Sequence, residues 1–340
     1  MFQHATTKGV FMLSVQLLGN SKVVVKEYPD PVLTEKQILI KVKDSGICGS
    51  EMHGFLGPNP QAFNGGHEVT GVVIDSGKSQ RFKVGDRVGV HAVWGCGNCR
   101  WCMAGQYTYC DNRSGVSGTH AELVSAPDHV CLKLPDDVPF DVGVLLTGDG
   151  MGVPYHVSKK LNTKGGDFVC IVGVGPIGLG NAMMQSFLGA EVIAIDINDY
   201  RLSLATQFGA AHTVNSRQTD PIEAVKEITH GMFADKCIEA VGRPETVKLA
   251  LNLVGKAGAV VTLGEQGDVP VNISGDLIRR DITLMGSWFY HYSEYPAIID
   301  LYYRGLPVVK LITDHFPLKE AQSAFTKFSK GQAGKVMLEP

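Results

Sequence analysis

Up to about residue 145 the chain consists of short apolar runs separated by turn residues. The clearest are Ile38-Leu39-Ile40-Lys41-Val42, Val69-Thr70-Gly71-Val72-Val73-Ile74 and Arg87-Val88-Gly89-Val90, the last opened by the turn pair Gly85-Asp86. Such runs predict strands. With no long helical period among them, the simplest arrangement is a partly open barrel of antiparallel strands. From about Val153 the pattern changes. The apolar runs Val169–Val172, Glu191–Asp196, His212–Asn215, Lys236–Val241, Val260–Leu263 and Ile282–Met285 alternate with amphipathic stretches, including Leu179–Leu188, Pro221–Thr229 and Glu245–Val254. This alternation predicts a doubly wound parallel sheet of six strands, an α/β architecture. The tail, Pro296 to Pro340, carries a helical pattern and a last strand at Lys335–Leu338. It is expected to fold back on the first unit. The expected domains are 12–152 together with 296–340, and 153–295.

The second unit begins with Val169-Cys170-Ile171-Val172-Gly173-Val174-Gly175-Pro176-Ile177-Gly178. An apolar strand thus runs into three glycines spaced G-x-G-x-x-G and then into a helix. The first glycine permits a tight turn, the second lets backbone approach a pyrophosphate, and the third lets helix and strand pack closely. Free N–H groups and the positive dipole end of the helix suit the anion. Pro176 fits the first turn, where its missing N–H is not needed. Asp196 ends the next strand, 18 positions after Gly178. That placement suits hydrogen bonds to the ribose hydroxyls of NAD, and like charge disfavours the 2′-phosphate of NADP. Arg201 is the residue that could accommodate such a phosphate. Ligands of doubly wound sheets lie beyond the carboxyl ends of the strands, so Val241, Gly242, Leu263 and Gly264 are candidate neighbours of the nicotinamide. They serve equally well as plain turn residues.

Composition narrows the class only slightly. The 340 residues suggest about two domains. Hydrophobic content is 44% and charged content 19%, with a net charge of −3. This balance gives no electrostatic case for binding nucleic acid or a membrane surface. No apolar run approaches a membrane span. Met1 to Phe11 lacks the apolar core and cleavage site of a secretory signal. Met12 opens a first strand, and the residues before it read as an extension, either added or from an upstream start.

Eight cysteines are present, at 48, 96, 99, 102, 110, 131, 170 and 237. Without a secretory signal they point to a reducing, cytoplasmic location. Cys170 and Cys237 lie in apolar runs and read as core residues. Cys96-x2-Cys99-x2-Cys102-x7-Cys110 has metal spacing. Four thiolates from one loop can close a tetrahedral shell around zinc, leaving no open position, so this site would be structural. The alternative for four sulfurs is an iron–sulfur centre, but the rest of the chain is not ferredoxin-like. A second set is dispersed over Gly46–His53, Gly66-His67-Glu68 and Gly148-Asp149-Gly150. Cys48 and His67 are suitable zinc ligands, and a catalytic zinc takes three protein ligands plus one exchangeable position. Taken alone, a single cysteine and a single histidine more often serve structure.

Together, Gly46–His53, Gly66-His67-Glu68, Val84-Gly85-Asp86-Arg87-Val88, the four-cysteine loop and Gly173–Gly178 resemble the zinc-dependent medium-chain alcohol dehydrogenases of the polyol and sorbitol dehydrogenase type. The motifs run in family order over nearly the whole chain from Met12. The resemblance implies a GroES-like catalytic domain, a Rossmann cofactor domain, NAD and two zinc ions, one catalytic and one structural. Cys48 and His67 match the first two catalytic ligands. Glu68 matches the acid beside the metal, which lies behind the ligands or reaches the metal itself. Asp149 falls at the third ligand position, where the family more often has Cys or Glu. Aspartate is a competent ligand, harder than thiolate, though it could instead cap the following helix. Ser50 matches the hydroxyl that bonds the substrate oxygen, and His53 matches the residue that passes the proton to solvent. Two stretches, Gly54–Gly65 and Asp111–His120, are compact beside family members and tend to border the substrate pocket.

The resemblance implies reversible oxidation of a small-molecule alcohol, expected to be a secondary hydroxyl of a polyol or sugar derivative. The metal acts as Lewis acid and hydride passes to NAD. The alternatives are a primary-alcohol or aldehyde dehydrogenase, a threonine-type dehydrogenase, or a non-catalytic NAD-binding protein that kept the scaffold. Family members suggest a homo-oligomer, dimer or tetramer, assembled through the Rossmann domains.

Overall fold

A computed structural model describes residues 11–61, 65–265 and 267–340. The extension read at the N-terminus lies outside these residues except for Phe11. Strands β1 (Phe11–Gly19) and β2 (Lys22–Pro29) form an antiparallel hairpin. Its two turn residues, Asn20 and Ser21, both take left-handed backbone, with φ of 51° and 60°, the turn whose twist matches a hairpin. In β3 (Gln37–Gly46), Ile38, Ile40 and Val42 are buried while Lys41 and Lys43 are exposed. This period of two packs one face on the core.

The short helix α1 (Met52–Leu56), strand β4 (Glu68–Asp75) and strand β5 (Arg87–Val90) follow. A small lobe then contains β6 (Val93–Trp94), α2 (Arg100–Met103) and β7 (Ser114–Gly115), with β6 paired to β7. Strands β8 (Leu123–Pro127) and β9 (Cys131–Lys133) return to the sheet. Helix α3 (Phe140–Thr147) leads directly into α4 (Asp149–Leu161), which crosses residues 152 and 153 without a break.

The parallel sheet is built from β10 (Phe168–Val172), α5 (Pro176–Phe187), β11 (Glu191–Asp196), α6 (Asp199–Gln207), β12 (His212–Asn215), α7 (Pro221–Ile228), β13 (Ala234–Glu239), α8 (Pro244–Leu253), β14 (Val254–Thr262) and β15 (Thr283–Gly286). Its strand order is β12-β11-β10-β13-β14-β15, with every pair parallel. Val169–Val172 and Val192–Ile195 are buried throughout, as strands covered by helices on both faces must be. Strand β13 stops two residues short of the expected Val241. There Glu239 turns its carboxylate back to accept from the N–H groups of Val241 and Gly242, each at 2.9 Å.

The tail holds more than one helix and one strand. It contains α9 (Tyr295–Tyr303), β16 (Ile312–Pro317), α10 (Ala321–Ser329) and β17 (Lys335–Glu339). Strand β17 pairs antiparallel with β3, which attaches the tail to the first sheet. That sheet has the order β16-β17-β3-β4-β5-β9, with β8 also paired to β3. It is antiparallel except for β16–β17, which α10 joins in a parallel crossover. The polar residues Asp314 and His315 hid β16 from a search for apolar runs.

Candidate active site

The dispersed residues converge. One donor atom from each of Cys48, His67, Glu68 and Asp149 lies within 4.8 Å of the other three. Cys48 follows the end of β3, His67 and Glu68 stand at the start of β4, and Asp149 opens α4. Strand β4 runs beside β3, with Glu68 opposite Gly46. The Asp149 Oδ2 atom is 3.3 Å from Cys48 Sγ and 3.3 Å from His67 Nε2. Zinc–ligand bonds of about 2.0–2.3 Å imply tetrahedral edges of roughly 3.3–3.6 Å, so these donors fit zinc. Among the described residues, Asp149 Oδ1 and Glu68 Oε2 are buried without a hydrogen-bond partner, as acceptors awaiting a cation would be.

The electrostatics are mutually coupled. Burial, then Asp149, pushes the Cys48 thiol up. Burial opposes charge on His67, but Cys48 and Asp149 outweigh it and raise the imidazole well above its usual range. Burial likewise works against charge on Asp149, yet His67 and Lys335 hold its carboxyl down.

Sequence reasoning missed Lys335. Its ammonium pairs with Glu68 Oε1, and the two residues are 1% and 0% exposed. Glycine makes this approach possible: a Cβ on Gly46 would sit 2.9 Å from Lys335 Cε, and one on Gly148 would sit 2.8 Å from Glu68 Oε2. Burial opposes charge on Lys335, but Glu68 and Cys48 outweigh it and raise its pKa. Burial raises the Glu68 carboxyl despite Lys335. Glu51 and His120 were missed as well. Glu51 Oε2 accepts the Cys48 backbone N–H at 2.9 Å, and Glu51 Oε1 lies 3.0 Å from His120 Nε2. Both residues are buried, so they fix the backbone that carries Cys48.

Ser50 and His53 are both exposed, on the turn and on α1 just beyond Cys48. Residues 62–64 of the compact stretch Gly54–Gly65 lie outside the described residues.

In the small lobe, the thiols of Cys96, Cys99, Cys102 and Cys110 all lie within 4.8 Å of one another. Cys99 and Cys102 Sγ are 3.5 Å apart, and Cys96 N–H donates to Cys110 Sγ at 3.3 Å. A Cβ on Gly95 would stand 2.2 Å from Cys102 Sγ, so only glycine lets the loop close. Hydrogen bonds from the Asn98 and Cys99 amides lower Cys96 to about 7, while burial pushes Cys102 up to about 12.

The glycine turn has the geometry its spacing requires. Gly173 takes φ 87°. A Cβ on Gly178 would lie 1.9 Å from Gly173 O, whereas one on Gly175 would meet nothing within 4 Å, leaving its backbone open to a ligand. Pro176 and Ile177 begin α5. Asp196 is 8% exposed. Its Oδ2 accepts from Val174 N–H at 2.8 Å, and its Oδ1 from Ile197 and Asn198 N–H at 2.7 and 3.0 Å. The acid therefore braces the turn before it meets any ribose. Arg201 leans toward the tail, its Nε 3.1 Å from where a Gly331 Cβ would be.

The two sites adjoin. A Cβ on Gly180 of α5 would be 2.6 Å from Gly150 O, so the helix beginning at Gly175 packs against the residue after Asp149. At the carboxyl ends of β14 and β15 a cleft of about 650 Å³ is lined by Leu263, Gly264, Ser287 and Trp288. Tyr109, Arg113, His156 and Lys160 line its other side. Val241, two residues beyond the end of β13, is 43% exposed.

The chain is similar to known proteins. The zinc-binding dehydrogenase family profile matches residues 176–304, and the alcohol dehydrogenase GroES-like domain matches 34–136. L-threonine 3-dehydrogenase of Shewanella baltica (strain OS185) is 33% identical over 337 residues, covering 95% of this chain and 98% of that protein. The structure of alcohol dehydrogenase TADH from Thermus sp. ATN1 superposes with a TM-score of 0.89 at 28% identity, over 96% of this chain and 99% of that one. A short chain alcohol dehydrogenase from Escherichia coli CFT073, complexed with NADH, gives 0.87 at 27% identity over 98% and 100%. The chain belongs to the zinc-dependent medium-chain dehydrogenase/reductase family and combines a GroES-like unit with a Rossmann sheet.

Proposed function

We propose that this alcohol dehydrogenase uses Cys48, His67 and Asp149 to hold a catalytic zinc, with Glu68 and Lys335 behind it. The observation that carries this is the convergence of four donors from distant segments, beside the helix that opens at Gly175. When bound, zinc supplies Lewis acidity to the substrate hydroxyl and the nicotinamide accepts hydride. The protein's own residues do the rest. Asp149 and His67 fix the donor geometry, and Glu51 fixes the Cys48 backbone. Ser50 takes the hydroxyl proton and exposed His53 passes it to solvent. Gly173, Gly175, Pro176, Ile177 and Gly178 seat the pyrophosphate at the α5 N-terminus, while Val241 and Leu263 flank the nicotinamide.

The dinucleotide is NAD, a reading supported by the buried Asp196 carboxylate, which repels a 2′-phosphate. Arg201 flanks the adenosine ribose. A second, structural zinc sits on Cys96, Cys99, Cys102 and Cys110. The working division is 12–152 with 296–340 as catalytic unit and 153–295 as cofactor unit, and the chain assembles as a homodimer or homotetramer. None of its eight cysteines is in a disulfide among the described residues, in keeping with a reducing cytoplasm. Among the described residues, no helix is long and apolar enough to cross a membrane.

The substrate carries a secondary hydroxyl on a small polar molecule, a polyol or sugar derivative. The 33% identity to a threonine 3-dehydrogenase favours L-threonine as the second reading, and an NADH-formation panel of polyols, sugar acids, simple alcohols and L-threonine separates the two. The decisive variant is Cys48→Ser. It should abolish alcohol-dependent NAD reduction while retaining NADH binding. Parental turnover in that variant would refute the assignment.

A further inference from the structure

The cleft at the carboxyl ends of β14 and β15 has a chemistry that hydride transfer does not require. Among the described residues its charged lining groups are Arg113, Lys160 and Glu265, a positive balance. His156 lines it too, but its Nδ1 meets Glu294 Oε2 at 3.0 Å. Arg113 stands over the Trp288 ring, 5.1 Å from its centre. Stacking of this kind holds the guanidinium plane and leaves its N–H edge available. Among the described residues, no protein acceptor meets that edge. Lys160 donates to Gly286 O, and an ammonium has more donors than this one bond uses.

Ser287 points to a ligand independently. It is 9% exposed, and among the described residues its Oγ is buried without a hydrogen-bond partner. Buried hydroxyls are normally paired. Ser287 lines the same cleft, so what completes it enters from there. The cofactor's pyrophosphate is not the group that these donors await. Its seat is the glycine turn at the end of β10, and β15 lies three strands away in the order β10-β13-β14-β15, roughly 14 Å at the ordinary strand spacing. The metal donors, by contrast, share a helix with the cleft. Asp149 opens α4 and His156 follows on the same helix, about 10 Å along the axis.

We propose that this cleft receives an acidic group of the substrate, a carboxylate or a phosphate. Arg113 presents a planar fork that matches either group, Lys160 adds a second positive charge, and Ser287 donates its hydroxyl. Glu265 lies on an exposed rim, where solvent screens it. On the alcohol dehydrogenase reading above, on which this rests, the substrate is then a secondary alcohol with an acidic group a few carbons away. A short chain with its hydroxyl at the metal brings such a group to the cleft, and a neutral polyol leaves the three donors unmet.

The test compares acidic with neutral alcohols. Zinc-loaded enzyme and its Arg113→Gln and Lys160→Met variants are assayed for NADH formation with sorbitol, gluconate and sorbitol 6-phosphate. In the parent, kcat/KM should be about tenfold or more higher for one of the acids than for sorbitol, and which acid it is tells carboxylate from phosphate. Losing a hydrogen bond to a charged group costs about 10–100-fold, so each variant should lose preference on that scale, mostly through KM. Inorganic phosphate should compete with the acid in the parent and compete less well in the variants. Both substituted side chains reach solvent, and thermal unfolding checks that each variant is folded. Equal kcat/KM for all three alcohols in the parent would overturn the acidic subsite and leave the dehydrogenase reading standing. A preference that survives in both variants would overturn it too, because the acid then binds elsewhere. If the parent oxidises no alcohol of the wider panel above, the dehydrogenase reading fails and the subsite falls with it.

Discussion

Replacing Lys335 by Met removes the cation paired with Glu68 and leaves the aliphatic stem in place. An exposed ion pair contributes at most about 1 kcal/mol. Here both partners are at or below 1% exposure, so water cannot take over from the missing ammonium. Among the described residues Glu68 Oε2 already lacks a hydrogen-bond partner, and the variant orphans Oε1 too. Breaking a buried pair from one side costs about 3–5 kcal/mol. With about 2.1 cal/mol/K of unfolding entropy per residue, each kcal/mol shifts Tm by roughly 1.4 °C in a chain of 340 residues, so Tm should fall by about 4–7 °C. The comparison that isolates the charge is Lys335→Met with Glu68→Gln, which removes both charges and should recover more than half of the loss. Thermal and urea unfolding of the zinc-loaded proteins supply the values. A single variant within about 1 kcal/mol of the parent would refute the argument, because surface pairs already reach that figure. A double variant no more stable than the single would refute it as well, since the orphaned carboxylate would then not be the cause.

Asp149→Asn keeps the shape of the side chain but withdraws the charge between Cys48 and His67, and metal analysis should find the catalytic zinc sharply depleted while the four-cysteine zinc stays. Gly178→Ala would put a Cβ 1.9 Å from Gly173 O; NADH titration by fluorescence should show affinity lowered about tenfold or more, and unchanged binding would contradict the assigned turn. Burial opposes charge on Glu294, but His156, the His291 amide and Lys159 outweigh it and hold the carboxyl at about 2. A depressed folded pKa stabilises above the unfolded value of about 4.5 and is lost as pH falls toward 2. Parent stability should therefore decline through that window, and Glu294→Gln should flatten the slope measured by urea unfolding.

Much of this site was legible because its residues sit in motifs whose spacing is itself the chemistry. The thiols from Cys96 to Cys110 need only one loop to meet. Gly173, Gly175 and Gly178 need only a strand, a turn and a helix. Cys48, His67 and Asp149 were legible only through the resemblance, since nothing local says that residues 101 positions apart will approach to 3.3 Å. Lys335 was not legible at all. It opens an apolar strand, where a lysine ordinarily marks a solvated end, and its partner is 267 positions away. Asp196 shows a different limit. Its place in the pattern is the ribose-binding one, yet its carboxylate is engaged with three backbone N–H groups. An ionised carboxylate has about four acceptor sites, so bracing the turn and holding a hydroxyl are compatible. The sequence pattern alone could not distinguish one task from two.

The missed lysine also explains why the chain's end belongs to the first sheet. Strand β17 could satisfy its backbone on many exposed edges, but only beside β3 does Lys335 meet the space left by Gly46 and the charge of Glu68. Anywhere else, a lysine in this apolar strand or a carboxylate inside the first sheet would be buried alone, at a cost of several kcal/mol. The pair therefore disfavours alternative registers of the last strand more strongly than it stabilises the correct one. This is a specificity role, and it gives a kinetic expectation. In refolding experiments Lys335→Met with Glu68→Gln should regain native spectroscopic signal but partition into a slower, mispaired population that the parent lacks. Identical refolding traces for the two proteins would confine the pair to equilibrium stability and to the electrostatics of the metal site.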